Sequence, residues 1–315
     1  MPTIHFEPDG KKIAASTSET VLAAALRAGI PTAHPCGGDA RCSICRVSIE
    51  EGLGHCAPMT ERERVLSEQL GFSPEVRLAC QTTAAGDIKV RRLVVDEDDL
   101  ELTQRLDQSS EPFSIGEEKE LAILFADIRG FTEFSEKLPP YDVIYILNRY
   151  FYHMGKIISA HDGSIENYIG DGLMALFGLD YSPSACFRAV SAGLRMIEDI
   201  ARNRHHFEDI YGMSFQIGVG IHYGKVVVGT VGQRMTAIGD AVNFASRIES
   251  ANKDYGTELL ISEAVYHQVA EKCAVTRTIE NAVMKGKSGT HVLYAVQALN
   301  EGILSAHERV RTNGG

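Results

Sequence analysis

Along the first 95 residues, short runs rich in apolar and β-branched residues recur between polar breaks: "TIHFE", "KKIAA", "CRVSIEE" and "DIKVRRLVV" read as strands. "ETVLAAALRAGI" and "TERERVLSEQL" carry a helical period instead, so this region predicts a small mixed α/β unit. From Leu121 the runs lengthen and strand alternates with helix. The order is "LAILFADI", a helix over "YDVIYILNRYFYHMGKIISAH", "SIENYIGDGLMALFG", a helix from Pro183, "SFQIGVGIHYGKVVVG", a helix over "AVNFASRIESANK" and a mixed end. Such an order predicts one sheet with helices packed on a face. Between the two regions, "DEDDLELTQRLDQSSEPFSIGEEKE" is acidic and poor in aromatics, with leucines at 100, 102 and 106. It reads either as a solvated linker or as a short coupling helix closed by a Ser/Pro break. The expected divisions are 1–95, a connector over 96–118, 119–297 and a frayed tail over 298–315, with no internal repeat.

Composition supports two folded bodies. The 315 residues are 44% hydrophobic and 23% charged, outside the range of disordered chains. A formal charge of −11 repels a phosphate backbone, so no nucleic-acid partner is expected, and a bound nucleotide would be a small molecule held locally. No apolar run reaches the roughly 18 residues of a membrane span. The start "MPTIHFEPDG" lacks the basic and apolar stretches of a secretion signal, so a cytoplasmic location is expected. Thiols stay reduced there, and a tight cysteine cluster points to metal rather than disulfides.

Such a cluster exists. In "PCGGDARCSICRV", Cys36, Cys42 and Cys45 are separated by five and two residues, and Cys80 follows much later in "RLACQ". Three ligands on one loop and one returning from afar suit a two-iron cluster. Gly37 and Gly38 are expected to let backbone N–H groups approach the sulfurs where a side chain would obstruct them. A zinc site uses paired Cys-x-x-Cys knuckles, and only one such pair is present. Cys56, Cys186 and Cys273 lie outside the motif and read as free thiols. Over residues 1 to 95 the segment resembles the 2Fe-2S ferredoxins, with the five-residue first gap of their adrenodoxin-like and bacterial branch. The resemblance implies a β-grasp fold and a 2Fe-2S cluster.

The second region has its own candidate chemistry. In "ILFADIRGFTEFSE" an apolar strand ends at Asp127, and 44 residues later "NYIGDGLMALFG" places Asp171 between two apolar segments. If the strands are neighbours, the carboxylates meet and can hold divalent cations against a polyphosphate. Each also has a plain alternative, as a cap or as the Asp of a hairpin turn. In "TAIGDAVNFASRIES", Asp240 is placed to cap a helix, and Asn243 and Arg247 follow four apart on one face.

Together "FADIRGFT", "YIGDGLMALFG" and "GDAVNFASRIE" resemble the class III adenylate and guanylate cyclase catalytic domain, over about residues 119 to 297. The fold class implied for the whole chain is α+β in two domains. A β-grasp 2Fe-2S ferredoxin is followed by a palm-like, ferredoxin-like βαββαβ cyclase domain. The resemblance implies that Asp127, the carbonyl of Ile128 and Asp171 bind two Mg²⁺ or Mn²⁺ ions, with the loop from Gly130 through Phe131 to Thr132 near the phosphates. It further implies that Arg247 stabilises transition-state charge, that Asn243 orients the ribose, and that Lys285 and Lys287 of "MKGKSG" reach the terminal phosphates. By spacing alone, the lysines also fit an ordinary basic surface loop. In this family the metal carboxylates and the Asn/Arg helix face each other across a dimer, which implies a homodimer with two shared sites.

Base choice rests on fixed hydrogen-bond polarity. Adenylate cyclases often carry Lys three positions before the Gly of the second motif and Asp or Thr three before that of the third. This chain has Asn167 and Thr236. Thr fits the adenylate pattern, Asn departs from it, and the Glu of guanylate cyclases is absent from position 167. ATP is favoured over GTP. The expected function is a homodimeric adenylate cyclase regulated by its iron–sulfur domain, which would take electrons from a reductase. A guanylate cyclase, or an electron carrier with a non-catalytic cyclase-like domain, are the alternatives.

Overall fold

The short runs of the N-terminal region pair into a mixed five-stranded sheet. In the computed structural model, residues 1–34, 36–92, 116–180, 184–211, 215–231, 234–284, 287 and 289–299 are described. The connector around leucines 100, 102 and 106, the tail from 300 onward, and Lys285 lie outside these residues. The chain divides into two units, Met1–Glu117 and Glu118–Gly315.

In the first unit, β1 (Thr3–Glu7) lies antiparallel to β2 (Lys11–Ala14) and parallel to β5 (Ile88–Arg92). β3 (Arg46–Glu51) runs antiparallel to β5 and to β4 (Val76–Leu78), giving the order β2-β1-β5-β3-β4. The three-residue β4 is too short to show a period in the sequence. Helix α1 (Val21–Arg27) starts where the Thr20 hydroxyl accepts the Ala23 N–H at 3.2 Å. It buries Val21, Leu22, Ala24 and Ala25 in one core with Ile4, Phe6, Val47 and Val90. This is the β-grasp arrangement that the ferredoxin resemblance implies.

Helix α2 (Glu61–Leu70) is tied down by charge rather than by an apolar stripe. Glu63 is 0% exposed and accepts from Arg77 Nε and Nη2, both at 2.9 Å, and from the Leu78 N–H at 2.7 Å. The Arg77 Nη1 donates to Ala57 O at 3.1 Å. A buried ion pair in which both carboxylate oxygens are bonded fixes β4 just before Cys80.

The second unit is an eight-stranded sheet in the order β12-β13-β11-β9-β6-β8-β7, with β10 paired to β9. Its first half runs through β6 (Glu117–Ile128), α4 (Pro140–Ala160), β7 (Gly163–Ile169), β8 (Gly172–Phe177), α5 (Ala185–Tyr211) and β9 (Ile217–Val231). The five-residue helix α3 (Phe131–Ser135) sits between β6 and α4. With β9-β6-β8-β7 adjacent, this is the βαββαβ order. Proline fits the first turn of α4, and Ile146, Tyr150, Met154 and Ile158 recur every four residues as its buried stripe. Each such burial contributes about 1.5–3 kcal/mol before entropy is charged. β10 (Arg234–Ile238), α6 (Asp240–Tyr255), β11 (Leu259–Ser262), α7 (Glu263–Val269), β12 (Cys273–Ala282) and β13 (His291–Leu299) complete the unit.

The expectation of helices on one face needs a correction. On β11, Leu259 and Ile261 join the core of α4, α5 and α7, whereas Leu260 joins Ile248 and Ala251 of α6. Successive strand residues face opposite sides, so α6 covers the other face. Glycines in β9 admit it: a methyl group on Gly220 would stand 2.1 Å from the backbone nitrogen of Glu249. The buried Asn252 amide completes the attachment by donating to Val219 O at 2.8 Å. Helix α6 ends at Gly256, in the left-handed region at φ +63°.

Candidate functional site

The four motif cysteines come together as two pairs. Cys36 is hydrogen-bonded to Cys42, and Cys45 to Cys80, while Cys42 and Cys45 interact electrostatically. Among the described residues no three His, Cys, Asp or Glu side chains converge on one ion-sized point. Two thiol pairs fit a two-iron centre, in which four cysteines are shared by two irons, better than a single ion.

Backbone N–H groups of Gly38, Asp39 and Arg41 point at the Cys36 sulfur, that of Ile44 at Cys42 and that of Ala40 at Cys80. Gln81 Nε2 lies 3.6 Å from Cys80 Sγ. Burial pushes Cys36 up, but the hydrogen bonds outweigh it and leave the thiol below its ordinary value. Cys80 is drawn down to about 6, first by Cys45 and against burial. Cys42 is raised chiefly by burial, and Cys45 by the bond to Cys80 and then by burial. A loop that aims amides at thiolate sulfurs is matched to an anionic metal–sulfur centre. A methyl on Gly37 would meet no protein atom within 4 Å, and one on Gly38 would meet the Cys80 Cβ at 3.7 Å and the Leu22 Cδ2 at 3.9 Å. What the two glycines supply is positive φ, at +71° and +90°.

In the second unit Asp127 stands next to last on β6, and Asp171 occupies the two-residue turn Gly170–Asp171 between β7 and β8. Because β6 pairs with β8, strand end and turn lie side by side, and the two carboxyl groups are hydrogen-bonded to each other. Gly172 makes room: a methyl there would come within 3.0 Å of Asp127 Oδ1. Burial, then the Asp171 charge, push Asp127 up to about 6, against the opposing Ile128 N–H and Arg129 guanidinium. Like charges held together at a strand end are poised to accept a cation. Ile128 turns its side chain into the core.

The remaining expected residues are distributed as follows. Phe131 and Thr132 begin α3 rather than lying in an open loop; Phe131 packs against the core and Thr132 is exposed. Asn167 on β7 is half-buried opposite Met174, and Thr236 on β10 is half-buried opposite Gly229. Strands β7 and β10 approach each other, which puts both near one end of the sheet. Gly239 is the N-cap of α6, and Asp240 is its first helical residue without a capping bond. Asp240 pairs instead with Lys287, whose ammonium also lies 5.5 Å over the Phe244 ring. One turn on, Asn243 is exposed and Arg247 half-buried, and the Arg247 charge helps hold Asp240 below the usual carboxylate range after the larger effect of Lys287. After burial, Asp127 is influenced by Asp171, Ile128 and Arg129 rather than by Arg247 of α6.

Two charged residues at this end escaped the sequence reading. Arg129 Nη2 donates to Thr257 O at 3.2 Å, and Glu249, on the buried side of α6, is pushed up to about 7 by burial and then by Asp127, against Arg129. Thr257 lies 128 residues from Arg129, and the Asp127 and Arg129 charges that act on Glu249 lie comparably far from it in sequence, beyond any local spacing rule.

Comparison with known proteins agrees with this geometry. Residues 114–298 match the family Adenylate and Guanylate cyclase catalytic domain, and residues 4–85 match the 2Fe-2S iron-sulfur cluster binding domain. The chain belongs to the adenylate and guanylate cyclase catalytic domain family, carrying an N-terminal 2Fe-2S domain. It is 39% identical over 194 residues to an adenylate cyclase of Anabaena cylindrica, covering 57% of this chain and 37% of that protein. It is 35% identical over 186 residues to adenylate cyclase 1 of Rhizobium meliloti, covering 56% and 27%. The chain thus spans well under half the length of these relatives. Among solved structures it is similar to the guanylyl cyclase Cya2, with 30% identity, a TM-score of 0.55, and coverage of 60% of this chain and 96% of that one. The adenylyl cyclase CyaB from P. aeruginosa matches at 30% identity and a TM-score of 0.53, covering 61% and 98%. Among the described residues no helix is long and apolar enough to cross a membrane.

Proposed function

We propose that this protein is an adenylate cyclase that converts ATP to 3′,5′-cyclic AMP and pyrophosphate at sites shared between two copies of the chain, under the control of a 2Fe-2S cluster held by Cys36, Cys42, Cys45 and Cys80. The observation that carries the reading is the meeting of Asp127 and Asp171, where the end of β6 lies beside the turn between β7 and β8. With the Ile128 carbonyl they would hold two Mg²⁺ or Mn²⁺ ions, which supply Lewis acidity toward the ribose 3′-hydroxyl and the phosphates.

The ribose 3′-hydroxyl gives its proton to water, its oxygen bonds to the α-phosphorus as the bond to pyrophosphate breaks, and no side chain is covalently modified. Arg247 from the partner chain neutralises the charge of that transition state, and the partner's Asn243 orients the ribose. The exposure of Asn243 on α6 supports its reaching a second chain. Lys287, with Lys285, serves the terminal phosphates once released from Asp240. Backbone at Phe131 and Thr132 lies beside the phosphates, and Asn167 and Thr236 read the base. Because either residue can donate or accept, and because the chain resembles both adenylyl and guanylyl cyclases, GTP is the second candidate substrate. A reductase would deliver electrons to the cluster, and a cytoplasmic location suits a cluster of reduced thiols.

The test is to incubate the purified brown protein with Mn²⁺ and ATP or GTP, before and after dithionite. Cyclic AMP in excess of cyclic GMP, at a rate altered by reduction, is expected. No cyclic product from either nucleotide would overturn the enzyme reading. Equal rates for oxidised, reduced and cluster-free protein would remove the regulatory part alone.

A further inference from the structure

Two residues past Asp127, Arg129 reaches across to α6 and the residue just beyond its end. A methyl built on Gly218 of β9 would stand 2.6 Å from Arg129 Nη2 and 2.6 Å from Glu249 Oε1, so both heads lie over the same glycine. Glycine at 218 is what leaves them room. Arg129 is held on two further sides. Its N–H donates to Gln216 O at 2.8 Å, and its Nη2 donates to Thr257 O, just past the end of α6. Glu249 is 9% exposed, so its carboxylate has little water to satisfy it; it accepts from Ser250 Oγ at 3.4 Å and is further steadied by the Arg129 charge. Glu249 lies two residues from Arg247 on the same helix, and Arg129 two residues from Asp127 on the same strand end.

We infer that Arg129 and Glu249 are positioning residues that set the register between the carboxylate-bearing end of β6 and the helix carrying Asn243 and Arg247. The inference rests on the proposed cyclase reading. In that reading one chain gives its Asp127 to one active site and its Arg247 to the other. The pair therefore links the two sites of a dimer through the body of each subunit. Neither residue touches substrate; each acts on the reaction through its neighbours.

The experiment uses full-length wild type, Glu249→Gln, Arg129→Gln, Arg129→Lys and the Arg129→Gln/Glu249→Gln double variant. Three quantities are read: Mn²⁺ affinity from the electron paramagnetic resonance of the free ion, kcat and KM with Mn²⁺ and ATP, and the melting temperature. Glu249→Gln is expected to weaken Mn²⁺ binding and lower kcat, each on the order of 10-fold, with little change in KM. Because the two residues act as one unit, the double variant should be no worse than the poorer single. Arg129→Lys, which keeps charge but not the reach to both Glu249 and Thr257, should recover only part of the loss and covers the case of a glutamine variant that misfolds. Wild-type Mn²⁺ affinity and kcat in the variants, even with lowered melting temperature, would overturn the inference, as would simple addition of the losses in the double. Asp127→Ala run alongside separates the two levels. Undiminished Mn²⁺ binding there would remove the metal site itself, whereas loss there with no effect at 129 and 249 removes only the role of the pair.

Discussion

Replacing Asp127 by Asn should make the metal-free protein more stable while abolishing its activity. Burial and the neighbouring Asp171 charge raise the Asp127 carboxyl to about 6, roughly two units above the ordinary carboxylate range. At 1.36 kcal/mol per unit, keeping it ionised at neutral pH costs about 3 kcal/mol. Asparagine is neutral but still a polar group needing partners, so about 1–2 kcal/mol of that is recovered, or roughly 3–6 °C in melting temperature for a domain of this size.

The sign with pH follows from linkage. A carboxyl with raised pKa favours the folded state below its ordinary value, and this contribution is lost as pH rises through about 6. The advantage of Asn should therefore be absent at pH 4, grow between 4 and 6, and level off above. Calorimetry in EDTA at a series of pH values reads it directly. Adding Mn²⁺ should reverse the order, since an ion at 100 times its Kd stabilises wild type by about 2.7 kcal/mol and has lost a ligand in the variant. An Asp127→Asn protein that melts below wild type in EDTA at pH 7.5, or whose advantage persists at pH 4, would refute the reasoning.

Two further outcomes follow from packing. Glu63→Gln strips the buried Arg77 of its counter-charge and should cost the iron–sulfur unit about 3–5 kcal/mol, seen as a lower urea midpoint for loss of cluster absorbance; a change under about 1 kcal/mol would contradict the buried pairing. Gly220→Ala puts a methyl 2.1 Å from the Glu249 backbone nitrogen and should cost at least about 1–3 kcal/mol as α6 lifts from β9, with cyclase activity falling in parallel. A variant of unchanged stability would show that the helix does not rest directly on that strand.

Much of this architecture is legible in the sequence because it is local. "LAILFADI" is an unbroken apolar run up to a charged residue, so Asp127 at a strand end follows from where that run is interrupted, and "IGDG" between two apolar runs marks the turn that carries Asp171. The cysteine spacing likewise survives as two thiol pairs. The face chosen by α6 was misjudged, although the alternating glycines of "IGVGIHYG" carry the signal: small residues at 218 and 220 on one side of a strand let a helix backbone approach. Asp240 has the residue type of a cap but pairs with Lys287, because tertiary charge outweighs the local bond. The Glu63–Arg77 pair, and the approach of Glu249 and Arg129 over Gly218, join residues that look like ordinary solvated charges until the strands are placed.

The most direct measurement is complementation between two inactive chains, Asp127→Ala and Arg247→Ala. If each active site takes its carboxylates from one chain and its arginine from the other, a mixed dimer contains one intact site, and an equimolar mixture should recover about a quarter of wild-type cyclic AMP production from ATP. A mixture that stays silent while wild type is active, with mixed dimers shown to form, would place the whole catalytic set within one chain and contradict the account.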